Sequence, residues 1–209
     1  MTPVVYVHGL WMPGDESLVL ARRLSHEHGL SLQSFRYSSA FSSLDNSLER
    51  LAAFVRELHA EEVHFVGHSL GGLIIYRFLE RFAEAPPGRA VFLGTPCVAS
   101  RTAVQAARFA PVAQLMGPSV ADELLQPPQR HWGHARELGI VAGTQPLGVG
   151  QLFAQFGEDN DGTVAVSETR MPGATSHITL PVSHLGMLVS ARVALEAGTF
   201  LTQGCFSQP

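Results

Sequence analysis

Short apolar runs alternate with longer stretches of helical periodicity along this chain, and no segment repeats at a fixed spacing. Val4 to Val7 is uninterruptedly apolar and stops at His8-Gly9, the pattern of a buried strand that runs into a loop. Glu16 to His28 predicts a helix, with Leu18, Leu20, Ala21 and Leu24 near helical spacing and Gly29 as its stop. Leu30 to Tyr37 reads as a second strand. Ser43 to Ala60 predicts the clearest helix, because Leu44, Leu48, Leu51, Ala52, Val55 and Leu58 share one face and Ser43 can cap it. Val63 to Val66 is a third strand, followed by a helix over Leu70 to Ala83 whose start is apolar nearly all round and therefore deeply buried. Ala90 to Leu93, Gly139 to Ala142 and His177 to Leu180 add three more strands before a closing helix from Leu185 to Leu195. Strands that alternate with helices of this length imply a mostly parallel sheet covered on both faces.

The alternation pauses between Thr95 and Arg136, where alanine-rich helical stretches (Thr102 to Met116, Ser119 to Leu125) precede Gln126-Pro127-Pro128. An insertion of that size between sheet strands reads as a small cap or lid on a single domain of residues 1–209, not as a separate domain. Phe109, Leu115 and Met116 are candidates for its inner face, or for a small satellite core.

Composition narrows the chemistry. All 14 basic residues other than histidine are arginine, so Schiff-base, pyridoxal, P-loop and S-x-x-K catalysts are excluded. A net charge of −4 with scattered arginines offers no basic stripe for nucleic acid. No run of 18 apolar residues or cleavable leader is present, so the expectation is a soluble, cytoplasmic chain without stable membrane insertion. Cys97 and Cys205 lie too far apart for a clustered metal site and read as isolated thiols. His131-Trp132-Gly133-His134 has two histidines three apart but no further ligands near it, and reads as loop or lid surface. The sequence calls for no metal and no cofactor.

The strand Val63 to Val66 leads into Gly67-His68-Ser69-Leu70-Gly71-Gly72 and then a helix, which is G-x-S-x-G in its strand-turn-helix setting. There Ser69 must occupy a sharp, strained turn, and Gly67 and Gly71 leave no Cβ atoms to collide with neighbouring backbone. The Leu70 N–H then faces a developing oxyanion. A second donor is expected from a loop after an earlier strand, which makes the Leu10 N–H in His8-Gly9-Leu10 the natural candidate, with His8 organising that loop. Trp11 and Met12 follow and could line a substrate pocket or simply pack at the mouth of the sheet.

An acid and then a histidine should follow the serine in the chain. Asp15, Asp45 and Asp122 fall at helix starts or in the insertion, which leaves Asp159 and Asp161, and spacing does not choose between them. The D-x-D there is not an EF-hand, because Gly162 comes too early. His184, after the last strand, is better placed than His177 at that strand's beginning.

With Val7-His8-Gly9-Leu10, Gly67-His68-Ser69-Leu70-Gly71-Gly72, Leu93-Gly94-Thr95-Pro96, Asn160-Asp161-Gly162-Thr163-Val164 and His184-Leu185-Gly186 in this order, the chain resembles the α/β-hydrolase superfamily, and within it small bacterial lipases and esterases. The resemblance implies a minimal α/β fold of about six mostly parallel strands flanked by helices. It also implies Asp161 rather than Asp159 as the acid, beside Ser69 as nucleophile and His184 as base. Cys97-Val98-Ala99-Ser100 departs from the histidine-led segment that many lipase relatives carry after Gly-Thr-Pro.

The expected activity is hydrolysis of a small-molecule or lipid-like carboxylic ester through an acyl-enzyme on Ser69. Apolar residues around the site favour an acyl chain over a charged group. A thioesterase or acyltransferase would use the same groups. Arg77, Arg81 and Arg89 could then dock an acyl carrier protein, although pairing with Glu80 and Glu84 on a solvated helix face is the commoner arrangement. A non-catalytic binding protein on the same scaffold is the reading from a different class.

Overall fold

The computed structural model describes residues 1–39, 42–108, 121–125, 129–148 and 155–207. Six strands, β1 (Thr2–Val7), β2 (Leu30–Phe35), β3 (His64–His68), β4 (Ala90–Leu93), β5 (Leu138–Gly143) and β6 (Ser176–Leu180), form one sheet in the order β2-β1-β3-β4-β5-β6. Every pairing is parallel. The inner strands β1, β3, β4 and β5 are buried on both faces, whereas the edge strands β2 and β6 are polar and partly exposed. Val5, Val7, Phe65 and Phe92 point to one core while Val4, Tyr6, Val66 and Val91 point to the other.

Helices α2 (Leu44–Glu57) and α3 (Leu70–Arg81) pack on the first face; α1 (Leu18–His28) and α5 (Ala191–Gln203) pack on the second. Local chemistry sets their ends. The Ser43 hydroxyl accepts the Asn46 N–H at 3.3 Å to start α2, and Gly29 in a left-handed conformation closes α1 by donating to the Ser25 carbonyl. Leu70, Leu73, Ile74 and Ile75 on α3 are fully buried, and each such side chain contributes about 1.5–3 kcal/mol of transfer free energy.

Several element boundaries shift from the expectations, the closing helix running on to Gln203 among them. A 3-10 turn at Asp15–Ser17 precedes α1, since left-handed Gly14 begins a tight turn there. β2 ends at Phe35, and β3 extends through His68, whose buried backbone still pairs with Leu93 of β4. The closing helix begins at Ala191, capped by the Ser190 hydroxyl on the Val193 N–H, and only a 3-10 turn at Gly186–Leu188 precedes it.

The insertion contributes α4 (Arg101–Ala106) and a π-helical turn at Ala121–Leu125. Phe109, Leu115 and Met116 lie outside the described residues, as does the Asp122 side chain. The stretch 131–134 is a loop with His131 and Gly133 exposed, as expected, but Trp132 departs from a surface position. Trp132 is buried edge-on against Phe92 in the core on the α2–α3 face of the sheet, its indole N–H donating to the Arg136 carbonyl at 2.6 Å.

From β1 the chain visits β2 on one side and β3 on the other, so the topological switch lies between β1 and β3. The loops after these two neighbouring strands carry Gly9-Leu10 and Ser69.

Candidate active site

Ser69 joins β3 to α3 without an intervening residue, at φ 55° and ψ −125°. A non-glycine residue in that region costs on the order of 1–3 kcal/mol and persists only where its surroundings over-determine it. Two bonds supply that constraint: the Ser69 N–H donates to the Leu93 carbonyl at 2.9 Å, and its own carbonyl accepts the Gly72 N–H at 3.2 Å. The glycines allow the close approach. A Cβ on Gly71 would lie 1.9 Å from the Val7 carbonyl oxygen, and one on Gly67 2.5 Å from the Gly72 backbone.

His184 sits in the loop after β6, not within a helix, and its Nδ1–H donates to Asp161 Oδ2 at 2.7 Å. The other carboxylate oxygen accepts the N–H groups of Thr163 (2.9 Å) and Val164 (2.7 Å), while the His184 N–H donates to the Asp161 carbonyl at 2.8 Å. Both side chains are buried. Asp159 is exposed and His177 is bonded to the Thr169 hydroxyl at 2.8 Å, so the structure brings Asp161 and His184 together and leaves their rivals outside.

Arg101 at the start of α4 holds the acid loop. Its Nε donates to Glu168 Oε1 (2.9 Å), its Nη1 to the Phe156 carbonyl (3.1 Å), and its Nη2 to Glu158 and to the Ser167 hydroxyl. Glu168 in turn accepts the Arg101 and Ala165 N–H groups, and the Thr102 hydroxyl donates to the Thr163 carbonyl at 2.6 Å. Sequence reasoning missed this clamp. The only signal was an arginine one residue past a capping serine, which is too common to notice.

His68 was also missed. Its Nε2–H donates to the His184 carbonyl at 3.0 Å, and the two rings lie 4.6 Å apart. Burial, with the neighbouring His184 ring as the next cause, pushes its pKa down to about 3, so His68 is a neutral support for the His184 loop. Its Nδ1 is buried without a hydrogen-bond partner.

The loop after β1 is built by His8. Its Nδ1–H donates to the Gly9 carbonyl at 2.8 Å, its Nε2 accepts the Tyr37 N–H at 3.4 Å, and its ring stacks on Tyr37 at 4.4 Å. Burial lowers the His8 pKa, in keeping with a structural role. A Cβ on Gly9 would lie 3.1 Å from the Ser69 Cβ, so this backbone abuts the serine. Among the described residues the Leu10 and Leu70 N–H groups have no protein acceptor. Trp11 (φ 59°) donates its backbone N–H to the Ser39 hydroxyl, and with Met12 it walls an open cleft of about 520 Å³ that also touches Arg36, Tyr37 and Arg50.

Residues 4–197 match the model of the alpha/beta hydrolase family. The chain belongs to this family. No curated protein matches it. Among solved structures, this alpha/beta hydrolase is similar to the mature lipase BlEst2 of Bacillus licheniformis (23% identity over 96% of this chain and 91% of that one, TM-score 0.75). It is also similar to the type II thioesterase BorB of the borrelidin biosynthetic cluster (14%, 99% and 94%, TM-score 0.65). Carboxylesterase CesB of Bacillus subtilis is a further neighbour (14%, 97% and 84%, TM-score 0.61).

The remaining candidates of this hydrolase-family chain resolve into packing. Arg77 pairs with Glu80 and Glu123, Arg81 with Asp45 and Glu49, and Arg89 with Glu137; Glu84 takes no part in the described ion pairs. His134 packs against Trp132 at 4.6 Å. Among the described residues no group of three His, Cys, Asp or Glu side chains could hold a metal ion, and no helix is long and apolar enough to cross a membrane. Cys97 is buried, which pushes its thiol up to about 12, and Cys205 is exposed; both are free.

Proposed function

We propose that this alpha/beta hydrolase cleaves a carboxylic ester with Ser69 as nucleophile, His184 as general base and acid, and Asp161 as the group that fixes the histidine tautomer. The observation that carries the reading is the buried His184–Asp161 bond of 2.7 Å, in a loop tied to the residue before a strained Ser69. With Nδ1–H committed to the carboxylate, Nε2 is the basic nitrogen. It takes the Ser69 proton as Oγ attacks the acyl carbonyl, and returns it to the departing alcohol. The Leu10 and Leu70 N–H groups, free of protein acceptors among the described residues, hold the oxyanion, each contributing on the order of 10²-fold or more in rate. Water then deacylates Ser69 by the same proton path in reverse. We read residues 1–209 as one domain in which 95–136 forms a cap, a reading supported by the buried Arg130–Glu123 pair that ties its far side to α3 through Arg77.

A fluorophosphonate probe tests this directly. Labelling of Ser69 in the wild type, lost in Ser69→Ala and in His184→Ala, is expected, together with faster turnover of an ester than of the matched thioester or amide. Absence of wild-type labelling would point to a binding protein, and an ester rate below the thioester rate would move the assignment to a thioesterase.

A further inference from the structure

The cleft beside Trp11 and Met12 combines apolar walls with charge. Two arginines flank it, and their charges are unequally compensated. Arg36 is paired with Asp15. Arg50 has no carboxylate partner among the described residues, and the acids nearest it in the chain and around the cleft are occupied. Asp45 and Glu49 are bound by Arg81, while Glu16 accepts the Tyr6 hydroxyl and the Gly14 N–H. The Arg50 guanidinium is nevertheless held in place. Its Nη2 donates to the Arg36 carbonyl at 3.1 Å, and its Cζ lies 6.0 Å from the centre of the Phe35 ring. Among the described residues the cleft therefore carries one net positive charge, and most Arg50 N–H donors have no partner there, in a chain whose overall charge is −4.

Sheet register gives the distance to the chemistry. Phe35 of β2, Val7 of β1 and Gly67 of β3 lie side by side, so Tyr37 and Ser69, each two residues further on, stand at the same sheet edge two strand spacings apart. That is about 10 Å. Arg50 is fastened to the residue before Tyr37, and Trp11, Met12 and Tyr37 line the same cleft.

We propose that this cleft is a specificity subsite for a carboxylate borne by the substrate about 10 Å from the reacting carbonyl, with Arg50 as its charge partner. A single uncompensated charge matches a carboxylate monoanion better than a phosphate dianion. The apolar walls of the cleft suit a hydrocarbon spacer. The proposal rests on the ester-hydrolase reading for its location, and its test separates the two.

The experiment compares half-esters of a medium-chain dicarboxylic acid with the same esters capped as neutral amides at the far end. A second pair places the carboxylate on the alcohol side. In one arm the wild type and Arg50→Gln are assayed for kcat/KM. In the other, Ser69→Ala is titrated calorimetrically with each uncleaved ester, with and without Arg50→Gln. The wild type is expected to prefer the carboxylated member of one pair by about tenfold, less at high salt, and Arg50→Gln to reduce that ratio about tenfold in both arms. Arg50→Lys should retain part of it. Which pair responds identifies the acyl or the alcohol side. A wild-type ratio near one in both pairs, or a ratio that Arg50→Gln leaves in place, would overturn the subsite. If the wild type cleaves none of the esters, the hydrolase reading falls while the calorimetric ratio still decides the subsite.

Discussion

Gly94→Ala should distort the Asp161–His184 pair without replacing either member. Gly94 follows β4 at φ +56°, where an alanine costs about 1–2 kcal/mol relative to glycine. The added Cβ would lie 2.9 Å from Asp161 Oδ2, 3.0 Å from His184 Nδ1 and 3.2 Å from His184 Cε1, so it would press on both ends of their hydrogen bond at once. The carboxylate cannot swing aside, because its other oxygen is held by two backbone N–H groups. Relief must come from a shift of several tenths of an ångström in the His184 loop, at about 1–3 kcal/mol of overpacking. A total destabilisation of about 2–5 kcal/mol is expected. Since a 1 Å misplacement can cost about 10²-fold, turnover should fall about 10- to 100-fold. Equilibrium urea unfolding gives the first quantity. Initial ester hydrolysis rates and fluorophosphonate labelling rates, both measured where the variant is fully folded, give the second. A variant destabilised as expected but turning over within twofold of wild type would refute the reasoning, since the chemistry would not then depend on the Asp161–His184 geometry.

Two further outcomes concern stability. Glu123 is buried between Arg130 and Arg77, so Glu123→Ala should cost about 3–5 kcal/mol by leaving the Arg130 guanidinium buried without a countercharge; Glu123→Ala with Arg130→Met should recover part of it, and a single variant as stable as wild type in urea would contradict this. For His68, the folded pKa near 3 lies below the unfolded value near 6.5, so the unfolded chain binds the extra proton between these limits. Its contribution is complete above pH 6.5 and is lost as pH falls toward 3, at about 1.4 kcal/mol per unit. His8, His64, His134 and His177 are lowered by burial and act in the same direction. His68→Gln should flatten the slope of unfolding free energy against pH between 4 and 6, and equal slopes would count against it.

The strands were legible because parallel strands buried on both faces are written as unbroken apolar runs, as in Val4 to Val7 and Ala90 to Leu93. Ser69 was legible for a related reason: a strained turn with close backbone approach demands glycines at fixed offsets. Asp161 was not separable from Asp159 by spacing, since the choice depends on which carboxylate the turn at Gly162 directs inward. The supports were hidden. His68 contacts a carbonyl 116 positions away and Arg101 reaches a loop more than 50 positions away, and neither leaves a periodic or local trace. Trp132 was misplaced on the surface because the glycine and histidines around it resemble a polar loop, while its burial rests on a long-range contact with Phe92.

The Arg101 clamp has a consequence for engineering. Since the first helix of the insertion and the loop carrying Asp161 share one set of hydrogen bonds, the two segments form a single inheritable unit. A graft that exchanges the insertion for that of another hydrolase must carry residues 156–169 with it, or the graft will arrive with its acid unsupported.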